Sequence, residues 1–307
     1  MLDSDPAIRW QVLRDLTQAP SGEVAAERAR VTTEGWGAQL LSARDPDGQW
    51  LGGACFPGRG EPPTDGGQPW TSTLPAMMQL YDFGLDPTTE TAREMTALVA
   101  QNCRWEYNNE PFFHGEVEAC INGRAVTLGA YFGADVDGVV TRLLDDQLDD
   151  GGWNCWTEDG ATVSSFHSTI CVLEGLLEYE RAHGESDQLS TARRGGEEYL
   201  LQRALFRRKS TGEVVDEAWL QFSFPTRWHY DVLRALEYFR TADVRDPRLA
   251  EAVDLVRSKQ QDDGTWLLEN SHRGAVHFDL DDGDGRPSRW NTLRAARVLD
   301  WWQLDGA

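Results

Sequence analysis

The sequence predicts an all-α fold, an α/α6 toroid of six helical hairpins in an inner and an outer ring, forming a single domain over residues 1–307. Three observations predict it. An apolar helical pattern headed by an aromatic or small polar pair recurs six times, at intervals of roughly 45 to 60 residues. Amphipathic segments lie between the copies, and three of them end in Asp-Gly-X-Trp. Strand signals are scarce, with only short runs such as 213–215 able to pair.

The first copy, IRWQVLRDL at 8–16, is closest to the last, RWNTLRAARVLDWW at 289–302. Between them come WTSTLPAMMQL at 70–80, CINGRAVTLGAY at 120–131, FHSTICVLEGLLEY at 166–179 and RWHYDVLRALEYF at 227–239. Each is apolar nearly all round, which suits an inner ring. The segments 26–50, 136–153 and 246–266 carry charge on one helical face and suit an outer ring, and 90–105 and 191–206 are also helical by pattern. In the first three, Asp-Gly makes a tight turn because glycine takes positive φ freely, and the Trp folds back onto the helices. The kinship of first and last copies favours closure over an open solenoid, whose terminal repeats are atypical. Inner-helix N-termini then converge on one rim of a central cavity.

The formal charge of -22 argues against a nucleic-acid partner, which needs a basic face, and against adhesion to an anionic membrane. No uncharged apolar run is long enough to span a bilayer. The N-terminus shows no secretory signal, and the five cysteines, Cys55, Cys103, Cys120, Cys155 and Cys171, are irregularly spaced. They read as free thiols in a reducing cytoplasm. The oligomeric state is left open by the sequence.

The turns QLDDGGW at 147–153, QDDGTW at 261–266 and DPDGQW at 45–50 resemble the QW-type repeat of the squalene–hopene cyclase, terpene cyclase and protein prenyltransferase superfamily. The resemblance covers the whole chain as a repeat architecture. Class II cyclases of that superfamily carry a DxDD motif whose central Asp protonates an alkene or epoxide. Asp279-Leu280-Asp281-Asp282 matches that string, which implies Asp281 as the acid, with Asp279 and Asp282 tuning it. Here Gly283-Asp284-Gly285 follows instead of the start of an inner helix. The same stretch also reads as a solvated or helix-capping loop, or as oxygen ligands for a divalent cation. Prenyltransferase β-subunits hold zinc with Asp-x-Cys and a distant His. Glu118-Ala119-Cys120 is similar in spacing, with His167 or His229 to complete it; otherwise Cys120 is a small buried residue and no cofactor is expected.

If inner N-termini converge, their first turns line the site. These are Trp10, Gln11, Trp70, Thr71, Cys120, Asn122, Phe166, His167, Trp228, His229, Tyr230, Trp290 and Asn291. An aromatic wall with few polar groups suits a small hydrophobic ligand and shields a carbocation. Arg14, Arg234 and Arg294 recur after Leu in three inner helices, either as a ring for an anion or as buried pairs with carboxylates. The leading expectation is Asp-initiated cyclisation of an isoprenoid-type molecule. The alternatives are a glycan-processing or glycan-binding toroid using Glu116, His167 or Tyr230, a zinc enzyme, and a non-catalytic scaffold.

Overall fold

The computed structural model describes residues 1–60 and 67–303. Helix α1 (Pro6–Asp15) is followed by α2 (Ser21–Ala29) and α3 (Gly35–Ser42); α4 (Thr73–Phe83) by α5 (Glu90–Asn102); α6 (Ala119–Phe132) by α7 (Asp137–Asp145). Then α8 (Phe166–His183) precedes α9 (Asp187–Leu201), α10 (Val232–Thr241) precedes α11 (Ala250–Ser258), and α12 (Arg289–Gln303) comes last. The short strands β1 (Trp266–Leu267) and β2 (Pro287–Ser288) pair antiparallel just before α12.

Helices α1, α4, α6, α8, α10 and α12 coincide with the six apolar copies, and each packs on the next. The last, α12, packs on α1, so the succession closes on itself. The amphipathic helices lie between them, with α7 and α9 also touching each other. Four inner-helix starts are capped by side chains: Asp5 accepts the Ala7 N–H, Ser165 the Ser168 N–H, Asp231 the Arg234 N–H, and Ser288 the Asn291 N–H. The fifth copy begins later than its sequence suggests. Asp231 is the cap of α10, so Arg227, Trp228, His229 and Tyr230 precede the helix instead of forming its first turn.

The Asp-Gly-X-Trp turns work as staples. Gly48, Gly151 and Gly264 have φ of 92, 95 and 81°, the left-handed region that the turn requires. The indole N–H of Trp50, Trp153 and Trp266 donates to the carbonyl of Leu40, Leu143 and Val256 respectively, near the end of the preceding amphipathic helix. The backbone N–H of the same three residues donates to Thr73, Thr169 and Thr292 on the next inner helix. Each Trp therefore ties an amphipathic helix to the following apolar one with both of its donors, and all three are buried.

The closest helix pair is α6 with α8. A Cβ on Gly123 would lie 2.4 Å from the Cys171 carbonyl oxygen, and one on Gly175 would lie 2.3 Å from the Gly123 carbonyl oxygen. These two glycines set how near α6 and α8 come to one another.

Candidate functional site

The ends of α6 and α8 frame a thiol centre. Asn122, in the first turn of α6, reaches back to the preceding loop, accepting the Glu116 N–H at 2.7 Å and donating to the Glu116 carbonyl at 2.8 Å. The Glu116 carboxylate accepts the Glu118 N–H at 2.7 Å. Glu118 is thereby held at the start of α6, with its Oε2 3.6 Å from the Sγ of Cys120. Cys155 arrives from the turn after Trp153. Its Sγ accepts the Cys120 N–H at 3.2 Å and the Ser168 hydroxyl at 3.1 Å. Both donors belong to first turns, of α6 and α8, where helix dipoles favour negative charge. One ligand atom each from Glu118, Cys120 and Cys155 lie within 4.8 Å of one another.

The two thiols differ. Their mutual hydrogen bond, followed by burial, pushes Cys120 well up. The same bond, with those from Ser168 and the Cys120 backbone, pulls Cys155 down against its burial. Cys155 is the sulfur that ionises first.

His167 borders this centre but does not join the cluster. Its Nδ1 accepts the Tyr230 N–H at 2.8 Å. Burial pushes the imidazole down to about 4, so the ring is neutral at pH 7 and carries its proton on Nε2. That is a hydrogen-bond donor and not a metal ligand, which corrects the expected set of Glu118, Cys120 and His167. Cys155 takes the place of the histidine. A pocket of about 310 Å³ opens here. Its walls include Glu118, Cys120, Cys155, Ser165, His167 and Ser168, with Arg124 behind them, and Phe56, Ile121, Trp156 and Trp228 supply apolar surface. Phe56 and Trp156 are 49% and 68% exposed.

Beside it lies a second groove walled by Gln68, Trp70, Trp228, His229 and 270–273. The His229 ring stacks between Trp228 at 3.7 Å and His272 at 3.8 Å between centroids. Burial is the main cause that pushes His229 down to about 3 and His272 to about 4. The Trp228 indole donates to Gln68, and that of Trp70 to the carbonyls of His272 and Arg273.

The cavity between the six inner helices is not the aromatic chamber the sequence suggested. Its walls carry Arg124, Arg181, Arg227, Arg234, Arg294 and Arg297 facing Asp82, Glu174, Glu178 and Glu237, and of the expected tryptophans only Trp290 reaches it. Arg234 binds Glu174 at 2.8 and 2.6 Å. Arg297 binds Glu237 and lies 3.4 Å from Asp15. Arg294 donates to the Ser223 carbonyl and lies 3.9 Å from Asp231. Arg14 pairs with Asp15. Arg234 and Arg294 are buried and paired, the alternative stated for them, whereas Arg14 pairs at an exposed position. Asp82 is half-buried on the wall of this cavity, and desolvation there, then the neighbouring Glu174, pushes its carboxyl up to about 7.

The acidic stretch that matches DxDD serves α12. Asp281 accepts the Ser288 hydroxyl at 2.6 Å and the Arg289 N–H at 3.2 Å, and Ser288 in turn accepts the Asn291 N–H. Burial raises the Asp281 carboxyl, and these two bonds oppose the rise. Asp279 and Asp282 are exposed, and none of the three lines a cavity described here. The capping alternative fits, and the acid role does not. Several aromatic candidates are packing residues. Trp10 donates to the Phe83 carbonyl, and the Tyr230 hydroxyl to that of Leu205. Phe166 packs on Trp219 and Tyr230. Asn291 donates to the carbonyls of Phe222 and Leu267. The Glu116 carboxylate is spent on the Glu118 N–H, His167 Nδ1 on the Tyr230 N–H and the Tyr230 hydroxyl on the Leu205 carbonyl, so these three side chains do not form an acid–base pair with one another. Sequence reasoning missed Cys155, Arg124 and Arg227; the Gly-Gly-Trp-Asn-Cys string directly after a staple was the available signal for the first.

No family model matches the sequence, and no curated protein matches it. Several solved chains resemble it. A variant of the type II terpene cyclase MstE from Scytonema, without ligand, is similar with a TM-score of 0.44 and 15% identity, over 97% of this chain and 86% of that one. The function is therefore argued from the site itself.

Proposed function

We propose that the protein is an enzyme that takes the apolar body of a small molecule into the 310 Å³ pocket and activates its polar end at a zinc ion held by Cys155, Cys120 and Glu118. The observation that carries this is the convergence of two thiols and a carboxylate within 4.8 Å at paired helix N-termini. Thiolate sulfur and carboxylate oxygen are zinc ligands, and three protein ligands leave a fourth position open, the arrangement of catalytic rather than structural zinc. When bound, the ion lowers the proton affinity of water or a thiol at that position. The chain's own residues do the rest. Cys155 is poised to give up its proton. The His167 Nε2–H donates towards a bound molecule, and Phe56, Trp156, Ile121 and Trp228 shield it from water. On this reading the closed succession of inner helices is the inner ring of an α/α6 toroid.

Metal analysis of the purified chain tests it. One zinc per chain is expected, removable by chelator and replaceable by cobalt with a thiolate-to-metal absorption band. Cys155→Ser should lose both metal and band. A wild-type chain that binds no zinc or cobalt with its thiols reduced sinks the reading.

A second reading keeps isoprenoid cyclisation and moves the acid to Asp82, because that half-buried carboxyl, pushed up to about 7, faces the central cavity with Trp290. It requires that Asp82→Asn abolish turnover of an isoprenoid substrate while Cys155→Ser leaves it; the reverse pattern eliminates it.

A further inference from the structure

We propose that Arg124 and Arg227 form a preorganised site for an anionic group, a carboxylate or a phosphate, in the central cavity behind the thiol pocket. Both side chains line that cavity, and Arg124 also lines the thiol pocket, so one guanidinium borders both spaces. The two arginines differ from their neighbours in having no counter-ion. Arg234 and Arg297 each hold a carboxylate within ion-pair distance, whereas Arg124 and Arg227 hold none among the described residues. Arg124 is 3% exposed, and its Nε has no hydrogen-bond partner. Arg227 is 7% exposed, its guanidinium lies over the Trp70 ring at 5.2 Å, and its φ of 55° places it in the left-handed region. A buried cation without a partner is costly, and so is a non-glycine residue at positive φ. The Trp290 indole N–H, in the same cavity, is likewise buried without a partner. Among the described residues, two buried donors without a partner, Arg124 Nε and Trp290 Nε1, thus belong to side chains that line one cavity.

The electrostatics agree. Burial is the main cause that pushes Arg227 down to about 9, and the charge of Arg124 adds to it. Two like charges so placed are relieved by an anion between them. Asp82 is the carboxylate that opposes them in the cavity, and its raised proton affinity leaves it partly neutral near pH 7. An arriving anion would favour its protonated form, which then donates instead of repelling. The lining also holds the neutral side chains of Gln79 and Thr127, while its other carboxylates, Glu174, Glu178 and Glu237, each have an arginine of their own in Arg234, Arg181 and Arg297. Cys120 and Arg124 are four residues apart on α6, one turn on the same face, about 6 Å along the axis. A molecule anchored by its anionic end at Arg124 therefore lies within reach of the thiol centre. The anion site needs no metal, so it stands or falls apart from the zinc reading.

The test is titration calorimetry of the full chain at low salt with inorganic phosphate, pyrophosphate, octanoate and the neutral octanol. At least one anion should bind once per chain and octanol should not; which anion binds decides between phosphate and carboxylate. Arg124→Gln and Arg227→Gln should each weaken binding about ten- to a hundredfold, while Arg30→Gln, at an exposed residue paired with Glu34, should not change it. Without anion, Arg124→Gln should melt no lower than wild type, because it removes an unpaired buried charge; a purely structural arginine would lower it. Binding should persist in chelator-treated Cys155→Ser protein, and its loss there would put the anion on the metal and overturn the proposal. Failure of every anion to bind the wild type, or wild-type affinity in both arginine variants, overturns it as well.

Discussion

Asp281 and Cys155 show how little a residue's letter says without its partners. Asp281 sits in a string that reads as an acid catalyst, yet both its oxygens are occupied at the start of α12. Asp281→Ala should lower stability by about 1–2 kcal/mol, the worth of a helix cap, and leave zinc content unchanged. A melting curve and a metal assay on the same preparation check it; lost metal with unchanged stability would reverse the assignment. Cys155 has no motif of its own. Its meaning comes from the Cys120 N–H and the Ser168 hydroxyl, residues 35 and 13 positions away. Hydrogen bonds across that separation leave no local pattern, so sequence reasoning saw a free thiol. It pairs Glu118 with Cys120, which are close in sequence, and offers His167 or His229 where the structure brings Cys155 beside them.

The elements themselves were legible. The 3.6-residue apolar period marked all six apolar helices, and Asp-Gly-X-Trp marked the staples that join three of them to the amphipathic ones. The exception is α10. The string RWHYDVLRALEYF at 227–239 looks like the start of α12, but its cap is Asp231 and not the residue before Arg227. A cap decides where a helix starts more firmly than likeness to another copy does. The displaced segment carries Arg227, Trp228 and His229, all of which face cavities because they are not helical. The α6–α8 contact has its own consequence. Gly123→Ala puts a methyl 2.4 Å from the Cys171 carbonyl oxygen, and rigid helix backbone cannot step aside cheaply. A loss of about 1–3 kcal/mol is expected from such overpacking, with faster alkylation of Cys120 as the helix ends separate. An alanine variant as stable as wild type, with unchanged thiol reactivity, would show that the contact is looser than described.

At the scale of the whole molecule, the all-α class followed from composition and period, while the character of the central cavity did not. Arginines and carboxylates of neighbouring helices meet there as pairs, and pairing across helices is invisible along one chain. Three half-buried histidines set the response to acid. His167, His229 and His272 are neutral in the fold, with proton affinities below the ordinary 6.5. Their depressed values mean that stability is fully present above pH 6.5 and is lost as pH falls towards 4, because the unfolded chain takes up protons first. His229→Phe should therefore flatten the acid limb of stability against pH by up to about 1.4 kcal/mol per pH unit between pH 6 and 4. Denaturant melts across that range measure it, and an unchanged slope would mean that His229 is already solvated. Asp82 acts in the opposite sense. Its raised carboxyl favours the fold at low pH, and that contribution disappears as pH rises through about 7.

Of the thirteen tryptophans, Trp156 alone is largely exposed, at 68%, and it stands on the wall of the thiol pocket. The others emit from drier surroundings. The protein thus carries a built-in optical reporter: the long-wavelength edge of its fluorescence belongs to the doorway. A solute quencher such as iodide should reach that edge first, and whatever molecule fills the pocket should shut the quencher out, so the natural ligand can be sought by light before its chemistry is known.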